Sequence, residues 1–125
     1  MAAPNRPTPE QIDEFNRYMR EWQSVLGLKS WRIEKVPSWS TAMAEVSFND
    51  EARLATYKVG NFGATPVNER SLNETALHEC LHILLHDLII AAESKDDARL
   101  ESAEHAVINV LEKLLMQSPE NVWPS

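Results

Sequence analysis

Residues 77–82 read LHECLH, and three of these side chains have types and spacing that do chemistry. His78 and His82 stand four apart, so on a helix their rings share one face. Two imidazoles so placed converge on one zinc ion at about 2.0–2.1 Å. Glu79 points about 100° further round the helix. It stands beside such a metal without ligating it, and can take a proton from a water whose pKa zinc lowers to roughly 7. The competing reading is a helix with incidental histidines. With 4 His in 125 residues, H-E-x-x-H arises by chance in only about 1% of such chains.

A catalytic zinc takes a third protein ligand and keeps one position open. His86, Glu101, Glu104 and His105 have the right chemistry. His86 lies about 12 Å along an unbroken helix from His78, too far for one ion to reach both. In RLESAEHAVINVLEKLL, residues 99–115, Leu100, Ala103, Val107, Leu111 and Leu114 share an apolar arc at about 100° per residue. Glu104 falls inside that arc, between Leu111 and Leu115; Glu101 lies at its margin and His105 further out. A carboxylate on the buried side needs a compensating partner, and zinc would be one. Glu104 is therefore the expected third ligand, with Glu101 the alternative.

The elements that must position these groups can be read from periodicity. Thr8 as N-cap, Pro9 and Glu10 open a first helix. Ile12, Phe15, Met19, Trp22 and Leu26 form its apolar stripe, and Gly27 stops it. From Trp31 to Gly60 the period becomes two: WRIEKV, TAMAEVSFND and RLATYKVG read as strands, the last two joined by a turn at NDEA. A sheet of about three strands, mainly antiparallel, follows. Ser71 and Glu74 offer a capping box for the motif helix, expected to run to about Ile90. A last helix over about Asp97–Gln117 ends at Pro119. The order helix, strands, helix, helix predicts an α+β fold. One domain over residues 8–117 is expected, with residues 1–7 and 118–125 loosely ordered.

Composition narrows the function classes. A net charge of −7 repels phosphate backbones and anionic membranes, so neither nucleic acid nor membrane is an expected partner. MAAPNRPTPE has no apolar core of a signal peptide, and no uninterrupted apolar run approaches the roughly 20 residues of a membrane span. The single cysteine, Cys80, excludes an intrachain disulfide and fits a cytoplasmic location. Placed opposite the motif face, it reads as a small buried hydrophobe.

H-E-x-x-H on one helix with a Glu from the next resembles the gluzincin zinc metallopeptidases. The small size and element order are similar to the minigluzincins and to short phage or prophage zincin domains, over roughly residues 40–116. The resemblance implies a zincin-like fold and a zinc-dependent peptidase acting on peptides or proteins. It implies His78, His82 and Glu104 as zinc ligands and Glu79 as general base and acid. It also implies that the last strand, about Leu54–Val59, borders the cleft and offers its edge to an extended peptide. Many gluzincins carry an Asp four residues after the ligand Glu; here that position is Ile108, or His105 if Glu101 is the ligand. No motif marks the transition-state donor, for which Tyr57 and His105 are the candidates. A different class of function is a zincin-like domain without turnover, holding zinc for structure or acting as an interaction or anti-repressor module. The chain also resembles the SprT-like proteases, whose DNA-linked targets its acidity disfavours, and the ImmA/IrrE-type regulators.

Overall fold

The computed structural model describes residues 3–117. Its elements are α1 (Pro9–Val25), β1 (Arg32–Lys35), β2 (Ala44–Asn49), β3 (Leu54–Val59), α2 (Glu69–Ser94) and α3 (Asp97–Gln117). The fold is α+β, with three helices and one three-stranded sheet. The chain divides into two compact units, Met1–Ile83 and Leu84–Ser125.

In the first unit, Thr8 caps α1 as its sequence dictates. The Thr8 hydroxyl accepts from the Gln11 N–H at 3.2 Å, and the Gln11 side chain accepts from the Thr8 N–H at 2.9 Å. Gly27, at φ 67°, turns the chain out of the helix in the left-handed conformation that favours glycine. Phe15, Met19 and Leu26 of the predicted stripe are buried.

The sheet corrects the expectation of a mainly antiparallel arrangement. Strand order is β1-β3-β2, with β1 parallel to β3 and β2 antiparallel to it, so the sheet is mixed. The chain leaves β1, passes to the far edge as β2, and returns between the two as β3. Period two fixes which face a residue occupies, but not which strand lies beside which. Trp31, at the entry to β1, meets Phe48 of β2 edge to face at 5.5 Å. Fully buried Ala55 of β3 is the register partner of Phe48.

One face of the sheet carries the core. Ala55, Tyr57 and Val59 are buried on it, and the Phe15 and Tyr57 rings lie 5.8 Å apart. α2 joins this layer through Leu72, Ala76, Cys80 and Ile83, each at most 1% exposed. Trp22 Nε1–H donates to Asn73 Oδ1 at 2.7 Å and ties α1 to α2. By length and composition α2 is apolar enough to cross a membrane, against the expectation of no such span. In the first unit, the side of α2 that carries Leu72, Ala76, Cys80 and Ile83 is buried.

Two local expectations are also corrected. Asn68, not Ser71, caps α2: Ser71 N–H donates to Asn68 Oδ1 at 2.9 Å, and Asn68 N–H to Ser71 Oγ at 3.0 Å. The reciprocal box sits three residues earlier than S-x-x-E suggests, and Glu74 instead pairs with Arg70 at 2.8 Å. Residues ahead of α1 are not loose from Asn5 onward. Asn5 N–H donates to Asn61 Oδ1 at 2.8 Å, and its amide to the Gly63 and Thr65 carbonyls at 3.1 and 2.9 Å. The expected loose tail and the Pro119 stop lie outside the described residues.

The second unit holds the last part of α2 and α3. α2 ends at Ser94, four residues beyond the expected Ile90, where Lys95 takes a left-handed φ of 58°. α3 spans the expected residues.

Candidate metal-binding site

The expected pair forms on α2. His78 Nε2 and His82 Nε2 lie 3.1 Å apart, with ring centroids at 4.7 Å and planes at 82°. Both rings are exposed on the helix face directed at β2. Two nitrogens 3.1 Å apart, each at the usual zinc–nitrogen length of about 2.05 Å, subtend about 98° at a shared ion. That angle is within reach of a tetrahedral centre.

Glu79 is turned inward, as its helical position requires, and is only 5% exposed. Burial pushes its carboxyl pKa up, and the charges of His82 and His78 pull it partly back. A carboxyl that holds its proton more readily, beside two imidazoles, suits a group that takes and returns protons.

Two clefts meet at this point, both within the first unit. One, of about 290 Å³, is lined by Ala44, Glu45, Val46, Phe48, His78, Glu79 and His82. The other, of about 370 Å³, is lined by Ala42, Met43, Ala44, Glu74, Thr75, His78 and Glu79. Ala44, His78 and Glu79 belong to both.

β2, not β3, is therefore the strand beside the motif. β3 is paired on both sides and has no free edge. The Gly60 N–H to Met43 carbonyl bond, 2.9 Å, marks that register pair as hydrogen bonded. Alternation then turns the main-chain groups of Ala44, Val46 and Phe48 toward the open edge.

The remaining candidates are placed as follows. Tyr57 is 5% exposed, and its hydroxyl donates to Asn16 Oδ1 at 2.6 Å. Burial pushes its pKa up to about 12. Held in the layer between α1 and the sheet, it lines neither cleft, which removes it as oxyanion donor. Cys80 is fully buried, as expected, with its thiol directed at the Met19 carbonyl at 3.7 Å, and burial pushes its pKa up to about 12. α2 is unbroken past His82, so no unwinding redirects His86. In the second unit, Glu101, Glu104 and His105 are exposed on α3. The less exposed stripe runs through Leu100, Ala103, Val107, Val110 and Leu114. Glu104 lies to one side of it with Leu111 and Leu115, each 45% exposed, so the expected burial of Glu104 is corrected. Among the described residues, no group of three or more His, Cys, Asp or Glu stands in a metal-holding arrangement.

Sequence reasoning missed the β2 edge and Thr75. Thr75 was within reach, because it stands three residues before His78 and so shares its face. The β2 edge was not, because strand order carries no local signal. No family model, curated protein or solved structure matches the chain.

Proposed function

We propose that this chain is a small zincin-like, zinc-dependent peptidase. The observation that carries the reading is the convergence of His78 and His82 to 3.1 Å with inward-facing Glu79 beside them. His78 and His82 would hold the ion, with Glu104 as third ligand and Glu101 the alternative. Bound there, zinc would supply a water of lowered pKa and polarise a peptide carbonyl. Glu79 would take the proton from that water and return it to the leaving amine. The open edge of β2 gives an extended peptide main-chain partners at Ala44, Val46 and Phe48. This replaces β3 as the substrate strand. His105, exposed on α3, remains the candidate oxyanion donor. A reducing, cytoplasmic setting suits a chain whose single thiol is free and buried.

Elemental analysis of wild type, His82→Ala and Glu104→Ala, with peptide hydrolysis in parallel, tests the reading. One zinc per wild-type chain, lost in both variants, is the expected result. Glu79→Gln should keep zinc and lose turnover. Absence of zinc from wild type purified with the metal, or turnover retained in Glu79→Gln, would overturn the proposal.

A further inference from the structure

The second unit has no apolar core of its own. Among its described residues, no Leu, Ile, Val or Met is buried, and Ala91 alone is. The last part of α2 and α3 build it, joined by Lys95 and Asp96. Asp96 Oδ1 accepts from the Arg99 N–H at 3.1 Å and opens α3. Two helices share one seam, and an apolar stripe beyond that seam has to find a further layer.

α3 carries such a stripe. Leu100, Ala103, Val107, Val110 and Leu114 form a half-buried seam. Beside it, Ile108, Leu111 and Leu115 recur at helical spacing and are 40%, 45% and 45% exposed, and Met116 at the rim is 64% exposed. These four offer on the order of 350 Å² of apolar side chain. Homodimer interfaces are about 65% apolar. Two copies of the stripe therefore correspond to an interface of roughly 1,100 Å², enough for a specific contact and below the roughly 1,600 Å² of a tight one.

The charges say which cover fits. At about 100° per residue, the same line continues toward the start of α3 through Glu104, Glu101 and Asp97, with no Lys or Arg on it. An anionic lipid surface would be repelled there. A second copy laid parallel would set each carboxylate against its own copy. Laid antiparallel, with the twofold axis beside Leu111 and Glu112, it stacks Ile108 on Leu115 and Leu111 on Leu111. The three carboxylates then lie beyond the overlap. At the edge of the stripe, Glu112 of each copy comes within reach of Lys113 of the other.

We propose that two copies of this chain associate through α3, antiparallel about an axis at Leu111, and bury Ile108, Leu111 and Leu115 between them. The inference goes beyond the peptidase reading and uses no part of the metal site. Association without zinc leaves this proposal standing when the other fails, and zinc-dependent turnover by a monomer does the reverse.

Sedimentation velocity of the full chain, without added metal, tests it. Wild type should have the mass of one chain at about 1 µM and of two at about 500 µM, a dissociation constant in the micromolar range. Leu111→Glu should weaken association at least about thirtyfold, because symmetry counts each change twice. Leu111 is exposed in the single chain, so the variant's circular dichroism should match wild type. Lys113→Glu should also weaken association. Ser102→Glu, the same added charge on the exposed face away from both seams, should leave it unchanged. Asp97→Asn should also have no effect, whereas a parallel pair would tighten. A single-chain mass at about 500 µM, a dimer that survives Leu111→Glu or is lost in Ser102→Glu, or tightening in Asp97→Asn would each overturn the proposal.

Discussion

Gly60→Ala should be among the most damaging single-methyl additions to the first unit. A Cβ at Gly60 would meet the carbonyl oxygens of Ser40 and Ala42 far inside van der Waals contact, and the Ser40 carbonyl carbon at 2.7 Å. These are backbone atoms and cannot rotate away, so the segment ahead of β2 must move by about 1 Å or more. That movement breaks the hydrogen bonds that hold the segment: Ser40 N–H to the Val59 carbonyl at 3.0 Å, and Gly60 N–H to Met43 and Asn61 N–H to Ala42, both at 2.9 Å. Three bonds at about 1 kcal/mol each give about 3 kcal/mol. Restricting the unfolded chain returns about 0.4–1 kcal/mol, leaving a net loss of about 2–3 kcal/mol. At a urea m-value of about 1.5 kcal/mol per M, the midpoint falls by about 1.3–2 M. Gly27→Ala is the comparison. Gly27 has a φ of 67° but nothing within 4 Å of an added Cβ, so it bears only the left-handed backbone cost of about 1–2 kcal/mol. Urea titration followed by circular dichroism ranks the two. A Gly60→Ala midpoint equal to wild type, or above that of Gly27→Ala, would refute the assignment of Gly60 as the residue that lets this segment approach.

Other perturbations separate the remaining structural claims. Asn68→Ala and Ser71→Ala should each cost about 1 kcal/mol in thermal or urea unfolding, whereas Glu74→Ala should change stability by less than about 0.5 kcal/mol; the reverse ranking would restore the box at Ser71 and Glu74. Asn5→Ala removes donors to the Gly63 and Thr65 carbonyls and should cost about 1–2 kcal/mol, where a loose N-terminus would show no change. Burial holds Tyr57 and Cys80 neutral to about pH 12, above their ordinary values of 10 and 9. The unfolded chain therefore loses these protons first, and stability falls as pH rises from about 9 to 12. Tyr57→Phe should make that fall shallower in unfolding measured across the range; an unchanged pH slope would count against its burial.

Legibility in the sequence followed the range of the interaction. α1, the hairpin of β2 and β3, and the bounds of α3 were readable because caps, turns and periodicity act within a few residues. The His78–His82 pair was readable for the same reason, since one helical turn fixes its geometry. The parallel pairing of β1 with β3 was not, because it joins residues such as Arg32 and Leu54 through a connection that carries no local pattern. Tyr57 looked available because a strand offers two faces, and only the packing of Phe15 and Asn16 shows which one it occupies. Glu104 was read from an apolar arc that includes Leu111, yet Leu111 is 45% exposed. A helical wheel gives the angular order of residues, not the direction in which the core lies.

The sealed position of Cys80 has a practical consequence for spectroscopy. The chain's one thiol faces Met19, with its Sγ 3.8 Å from the Met19 Sδ, and thiol reagents act on the thiolate, which burial suppresses. A cysteine placed at an exposed position, such as Ala98 at the start of α3 or Glu51 in the hairpin turn, would then be the one reactive sulfur in the molecule. The natural chain thus serves as its own cysteine-free background, and spin labels or fluorophores can be attached one or two at a time without removing a side chain from its interior.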